Sequence, residues 1–565
     1  MIDHHIQIKS LTHKTICPIQ NFWRGPKMLT VLTRLILICV VLGGKGRAEV
    51  ISYESEQKLV NLLKHVMECR EIPGLTLTLV RGKEYKTIPM GVANRATGEK
   101  VTPNTLFFIG AITQTFTATL LAEQMQRSAG VLHFDTPISQ LIGGEFQLAN
   151  KQLTESVTLR DALTHRTGIS PGSVAGLTGL PKAMSRLEVI SHLKELPQQA
   201  HFRDDFQFNQ FMYTLAAYVG EKISASSWEK LMRTHILDKL LMSSTVVAVD
   251  DATGPEFARS YVSEQSELVE VPADAFELGP LAPSGTMYTN AEDMAKALKL
   301  FLADPYLTAQ VRIPPPVLEE LMTPRFLLPL AIRAGLDRSS YFWPVPDFNV
   351  GYGMGFFRNT YRGFQIPWHA SSVHGFTSIM WLVPEKNVGL FLSVNGQKHN
   401  ENPLGIIQML TYYITDLMLG FDPWINETSA CTFPEPFVKA IEFPNVEFKP
   451  QVADYALAEY QGTFSSKLLG DIVIRKSATN PKALTMTMGK LTGTLHPEGG
   501  NVFRLFLEGA YRYMQVPVAG KHPIPFARVF FDFKSNQCVG LKLPDSVFGG
   551  NPVDFPKTNS FKEEL

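Results

Sequence analysis

Five prolines between Phe421 and Pro450 (Pro423, Pro434, Pro436, Pro444 and Pro450) divide the chain into two patterns that one core does not accommodate. Proline fixes φ and has no amide N–H, so the stretch interrupts helices and strands alike and reads as a linker. N-terminal to it the periodicity is mixed. Leu59, Leu62, Leu63 and Val66 repeat at helical spacing over 53–69, and 75–80 reads as a strand followed by a turn at Arg81-Gly82-Lys83. Helices are expected at 159–166, ended by Gly168, at 211–225, and at 291–302, where Thr289 and Asn290 serve as caps. Strands return at 379–383 and 388–394 around the turn Pro384-Glu385-Lys386-Asn387. Helices in the middle with strands from both ends imply an α/β (α+β) body, an antiparallel sheet flanked by helices. Beyond the prolines the pattern alternates with period two at 471–475, 484–488, 529–533 and 539–543, which implies a small all-β domain. The expected organisation is a leader over 1–48, a body over 49–420, a linker over 421–450 and the all-β domain over 451–565. A chain of 565 residues exceeds what a single core holds.

The apolar run 35–42 is about half of the ~20 residues a membrane-spanning helix needs. Lys27 and Arg34 precede it and the small residues Gly46 and Ala48 follow, the pattern of a secretory signal cleaved near Ala48. Translation from Met28 gives a signal of ordinary proportions; translation from Met1 leaves a long leading segment and makes the run an uncleaved anchor. A secreted or luminal protein is expected, membrane-bound only if the leader is retained. Asn426-Glu427-Thr428 is a glycosylation sequon in agreement with export. Cys17 and Cys39 fall in the leader, which leaves Cys69, Cys431 and Cys538, an odd set whose pairing the sequence leaves open. There is no CxxC or Cys/His cluster, so no metal and no cofactor are expected. Basic and acidic residues balance at 53 each, which argues against nucleic acid as a partner.

The chemistry-bearing segments are Phe108-Ile109-Gly110-Ala111-Ile112-Thr113-Gln114-Thr115-Phe116, then Val157-Thr158-Leu159-Arg160-Asp161-Ala162-Leu163-Thr164-His165-Arg166-Thr167-Gly168-Ile169, then Phe206-Gln207-Phe208-Asn209-Gln210. Ala282-Pro283-Ser284-Gly285-Thr286-Met287-Tyr288-Thr289-Asn290, Gly351-Tyr352-Gly353-Met354-Gly355 and His369-Ala370-Ser371-Ser372-Val373-His374-Gly375-Phe376 follow. In this order they resemble the class C β-lactamase and penicillin-binding-protein-like serine hydrolase family, over roughly residues 53–420. The resemblance implies a β-lactamase/transpeptidase-like body and three motifs around one cleft. Ser-x-x-Lys supplies nucleophile and base; here it reads Ala111-Ile112-Thr113-Gln114. Tyr-x-Asn passes the proton to the leaving group; here it reads Phe208-Asn209-Gln210. Lys-Thr-Gly, or His-x-Gly in the esterase-like branch, forms the far wall; here it reads His369-Ala370-Ser371. The C-terminal segment, with Tyr455, Tyr460, Gly462 and Phe464 in its opening strand, resembles the β-barrel-like domain appended to some of these hydrolases.

An alanine methyl does not attack a carbonyl, and a neutral amide is no base at pH 7. Ser→Ala, Lys→Gln, Tyr→Phe and Asn→Gln keep volume roughly constant, and such swaps in a packed interior cost below ~1.5 kcal/mol. Ser371 for Gly departs from this and is expected to narrow the cleft. The backbone N–H groups of Ala111 and Ser372 correspond to the family's oxyanion hole. The leading expectation is therefore a secreted β-lactamase-like pseudoenzyme with no catalytic residues, a binding or structural module. Its pocket would be lined by Ala111, Gln114, Phe208, Gln210, His369 and Ser372, open to an unknown small molecule or protein partner. The rivals are an active hydrolase with a displaced nucleophile, Ser371 or Ser372 near His369, and a self-assembling protein. His369, His374, His165 and Tyr213 are expected to be structural, and the Ser-x-x-Lys spacings at Ser55, Ser191 and Ser227 to be chance.

Overall fold

The computed structural model describes residues 49–559 apart from 129, 248–255, 265, 329–342, 399–402, 438–446, 516–524 and 545–550. The expectations for the leader, including the run 35–42 and Ala48, lie outside these residues. Val50–Leu565 forms one compact unit. Its body is organised on a nine-stranded antiparallel sheet, counted among the described residues. From one edge the strands are Glu99–Lys100, Glu84–Asn94, Gly74–Arg81, Val388–Val394, Phe376–Val383, Phe364–Val373, Phe357–Tyr361, Asp347–Tyr352 and Phe326–Leu327. N-terminal and C-terminal strands thus meet at the pair Gly74–Arg81 and Val388–Val394, with Leu77 opposite Leu392.

Both faces of this sheet are covered, which is why its central strands are apolar almost without interruption. On Gly74–Arg81, Leu75, Leu77 and Leu79 pack on one side in a cluster with Leu59, Leu62, Leu63 and Val66 of the helix Tyr53–Cys69. The alternate residues point to the other side, where Thr78 Oγ1 donates to Ala291 O at 2.9 Å at the start of the helix Ala291–Phe301. The helix Pro403–Leu419 completes the first face. The second face carries Ala291–Phe301, and the long helices Thr113–Arg127 and Gln210–Ser224 share its buried apolar cluster.

The helix expected to run to Arg166 is shorter, Leu159–Leu163. Thr158 and Asp161 close it at the front with a reciprocal capping box, and His165, in the left-handed region at φ 57°, turns the chain before Gly168 is reached. Asp161 is fully buried and bridges Arg166 at 2.7 Å and Arg203 at 2.8 Å. One carboxylate thereby ties the end of this helix to the loop that precedes Phe208.

Within the stretch expected as a linker, Glu427–Thr432 is helical, capped by Asn426. It is joined to the helix Tyr53–Cys69 by a Cys69–Cys431 disulfide, which resolves the pairing the sequence left open; Cys538 is free and buried. Asn426 itself is exposed. Beyond, eight antiparallel strands from Gly462–Ser466 to Val553–Asn559 follow one another around a closed barrel, sealed where Phe464 lies opposite Lys557. Phe464, Ile472, Leu495, Phe503, Leu505 and Phe531 fill it and belong to the same buried apolar cluster as Phe116 and Leu163 of the body. Among the described residues, no helix is long and apolar enough to cross a membrane.

Candidate functional site

The strand Phe107–Phe108 pairs with Tyr288–Thr289, and the next turn places Ala111. Gly110 sits at φ 45°, and a Cβ there would come within 2.1 Å of Ser371 Oγ, so both the backbone conformation and the close approach call for glycine. A 3-10 turn over Gly110–Ile112 carries Ala111 and runs straight on as the helix Thr113–Arg127. Ala111 remains partly accessible, whereas Gln114, one turn on, is fully buried.

What holds Gln114 is His165. Its Nε2 lies 3.1 Å from Gln114 Oε1, and its Nδ1 accepts the backbone N–H of Asn209 at 3.0 Å. A neutral imidazole has one N–H. Nδ1 is occupied as an acceptor, so the proton is on Nε2 and donates to the Gln114 carbonyl oxygen. This also fixes the amide's orientation, and Gln114 Nε2 is left buried without a hydrogen-bond partner among the described residues. Burial, with His369 adding to it, holds the pKa of His165 well below the usual histidine value. The ring is enclosed by aromatics, with centroids 4.4 Å from Phe208, 5.1 Å from Tyr213, 5.1 Å from Tyr352 and 5.5 Å from Phe206.

The second motif opens the helix Gln210–Ser224. Phe208 lies between the two histidines, its ring 6.4 Å from that of His369. Asn209, the position the motif leaves unspecified, is the polar anchor. It is fully buried, caps the helix through Met212 N–H, and donates from Nδ2 to the carbonyls of Ile169 and Ser170 at 3.0 Å each. Gln210 is half-buried. Its side chain lies against Gly176, and its Oε1 accepts from Ser284 Oγ at 3.4 Å.

On the far wall, His369 and Ser371 project from one face of the strand Phe364–Val373 and Ser372 from the other, because side chains alternate. His369 is fully buried, with both ring nitrogens engaged: Nδ1 lies 3.1 Å from Ala370 O and Nε2 lies 3.3 Å from Tyr352 Oη. The carbonyl can only accept, so Nδ1 carries the proton and Nε2 accepts from the tyrosine. Burial lowers its pKa to about 4. The chain of groups ends at Tyr213, whose Oη lies 3.5 Å from Tyr352 Oη and donates to Leu163 O at 2.8 Å. Ser371 is nearly buried against Gly110, while Ser372 is exposed and its Oγ pairs with Thr377 Oγ1 at 3.1 Å. Neither serine is among the hydrogen-bond partners of His369.

The structure therefore brings Ala111, Gln114, Phe208, His369 and Ser371 together, seats Gln210 against Gly176 and Ser284, and directs the Ser372 hydroxyl elsewhere. It adds His165 and Asn209, which sequence reasoning placed outside the site. The signal for His165 was present only in part: it sits in a segment of the resemblance, but its partnership with residue 114 depends on a left-handed turn that no spacing rule reveals. His374 lies apart, donating from Nε2 to Leu177 O at 2.9 Å and accepting from Tyr513 on the barrel side. Ser227, one of the isolated Ser-x-x-Lys spacings, is a helix cap whose Oγ accepts from the Lys230 N–H.

Comparison with known proteins agrees with this geometry. The family model described as Beta-lactamase matches residues 59–408. The unguisins hydrolase ungD' of Aspergillus campestris is 24% identical over 378 residues, covering 65% of this chain and 66% of that protein. The unguisins hydrolase ungD of Aspergillus violaceofuscus is 25% identical over 340 residues, covering 58% of each. The match thus spans less than two thirds of the length of these relatives. The octameric penicillin-binding protein homologue from Pyrococcus abyssi superposes with a TM-score of 0.54 at 19% identity, covering 89% of this chain and 99% of that one. The fold is the mixed α/β fold of β-lactamases and transpeptidases, followed by a C-terminal β-barrel.

Proposed function

The chain belongs to the Beta-lactamase family of serine hydrolase-like proteins, and we propose that this member is a pseudoenzyme, a binding or structural module that has kept the cleft's architecture without Ser–Lys acyl transfer. The observation that carries the proposal is the state of the base position. Gln114 is a neutral amide whose carbonyl is committed to His165 Nε2–H, and it faces an alanine one turn back. A nucleophile needs an oxygen to activate and a base to take its proton; neither is present at these positions. The proton-relay position, Phe208, has no hydroxyl.

A displaced nucleophile finds little support. Serine catalysis needs a base within hydrogen-bond reach of the hydroxyl, and the ring nitrogens of His369 are bound to Ala370 O and Tyr352. Incubation with a penicillin and with a fluorophosphonate, followed by intact mass and peptide mapping, tests the proposal. No covalent adduct is expected; stoichiometric labelling at Ser371 or Ser372 refutes it.

Export is part of the same proposal. Its support is the Cys69–Cys431 disulfide, a bond typical of oxidising compartments, and the exposed Asn426 in its sequon. N-terminal sequencing and a glycosidase shift check it. Self-assembly draws only on the octameric state of the Pyrococcus abyssi homologue; light scattering on the purified chain separates a monomeric binder from an assembly.

A further inference from the structure

Where the barrel meets the body there is a cavity of about 530 Å³. It lies within the range of volumes that hold small organic ligands, roughly 300–1,000 Å³. The barrel contributes the turn Gly489-Lys490, and the body contributes residues 178–186 and the 3-10 segment Gly279–Ser284. Leu180, Met184, Leu278 and Ala282 give it a mainly apolar wall, to which Thr178, Thr286 and Lys182 add polar groups. Arg186 at its edge is held by two carboxylates, Glu229 and Glu221, and its Nε donates to Pro280 O at 3.1 Å, so its charge is already taken up and not offered to the cavity.

Lys490 is different. Its ammonium reaches across from the barrel and donates to two main-chain carbonyls of the body, Asp274 O and Glu277 O, the latter at 2.9 Å. An ammonium has three N–H donors, and the third has no acceptor among the described residues, since Glu277 Oε2 stands 4.0 Å away. The two carbonyls clamp the cation in place, so it is a positioned donor rather than a mobile surface charge. It stands at the edge of the cavity beside the apolar wall of Leu180, Met184, Leu278 and Ala282, and Lys182 adds a second cation to the lining.

We propose that this cavity is a binding site for a small amphipathic anion, with its apolar body against Leu180, Met184, Leu278 and Ala282 and its carboxylate or sulfonate on Lys490. The site shares no lining residue with Ala111, Gln114, Phe208, Gln210, His369 or Ser371. It therefore stands whether or not the chain performs acyl transfer. Glu277 sets the strength of the site, because its carboxylate competes with the ligand for the same ammonium.

The test uses the full chain and two fluorescent probes of nearly equal shape, anionic 1-anilinonaphthalene-8-sulfonate and neutral N-phenyl-1-naphthylamine. Both should bind saturably with one site per chain. Lys490→Met should weaken the anionic probe about tenfold, equivalent to about 1.4 kcal/mol, and leave the neutral probe within about a factor of two. Glu277→Gln should tighten the anionic probe alone, which keeps the charge assignment testable if Lys490→Met disturbs the barrel. Met184→Trp, placed at a partly exposed wall, should weaken both probes. No saturable binding, equal loss of both probes with Lys490→Met, or indifference to Met184→Trp overturns the proposal.

Discussion

Replacing Gln114 by lysine puts the residue type that the resemblance implies into a site whose neighbours do not receive it. Residue 114 is fully buried and is met by the Nε2–H of His165, a donor. The hydrogen bonds of His165, His369, Tyr352 and Tyr213 described above include no carboxylate. A lysine ammonium would therefore face a donor with no counter-charge, in a place where burial alone disfavours the charged form. The amine escapes by losing its proton, after which its lone pair accepts from His165. Holding a lysine neutral near pH 7 against an unfolded-state value of about 10.4 costs about 4–5 kcal/mol, at 1.36 kcal/mol per unit. That is most of the stability of a typical domain, about 5–15 kcal/mol. The sign follows from linkage: the folded-state pKa lies below the unfolded one, so the deficit shrinks as pH rises and should fall to about 1 kcal/mol near pH 9.5. Urea denaturation of wild type, Gln114→Lys and Gln114→Met at both pH values reads this, with the methionine variant losing little and showing no such pH dependence. The double variant Ala111→Ser, Gln114→Lys should carry the same deficit and stay nearly inactive on an activated ester. A Gln114→Lys protein as stable as wild type near pH 7 would refute the reasoning. So would a ¹⁵N spectrum showing the His165 proton on Nδ1.

The buried histidines should make the native state acid-sensitive. His369 and His374 are both lowered to about 4 by burial, so the unfolded chain takes up protons that the folded chain refuses. Stability should therefore fall as pH drops from about 6.5 to about 4, by about 3 kcal/mol for each of these two histidines; urea midpoints across this window check it. Gly110→Ala should cost about 1–2 kcal/mol for its left-handed conformation and about 1–3 kcal/mol more for overpacking against Ser371. Adding Ser371→Gly should recover the second part only, which thermal melts of the single and double variants distinguish. Cys431→Ser should lower stability by about 2–4 kcal/mol, a loss that reducing agent reproduces in wild type and does not add to in the variant.

Much of this protein is legible in its sequence, and for local reasons. The stripe Leu59, Leu62, Leu63 and Val66 specifies the helix Tyr53–Cys69 because side chains three and four apart share a face. Asn290 starts the helix Ala291–Phe301 because a short amide oxygen satisfies a free N–H. The alternation after residue 460 specifies strands. That Ala111, Gln114 and Phe208 offer no nucleophilic oxygen, basic amine or hydroxyl is readable without coordinates.

What the sequence leaves open is whatever depends on partners distant along the chain. His165 and Gln114 are 51 residues apart, and their bond exists because Asn209 N–H, from a third segment, occupies the other ring nitrogen. No pattern rule specifies a tautomer. The seating of Gln210 against Gly176 and Ser284, that of Ser371 on Gly110 and the disulfide across 362 residues have the same character. The Pro-rich stretch marks a boundary in the sequence, yet the body and barrel on either side share one buried apolar cluster. Periodicity reports which face of an element is apolar and is silent about which face it meets. That choice is made by packing the whole chain, and with it come the cavity at Lys490 and the pinned amide of Gln114.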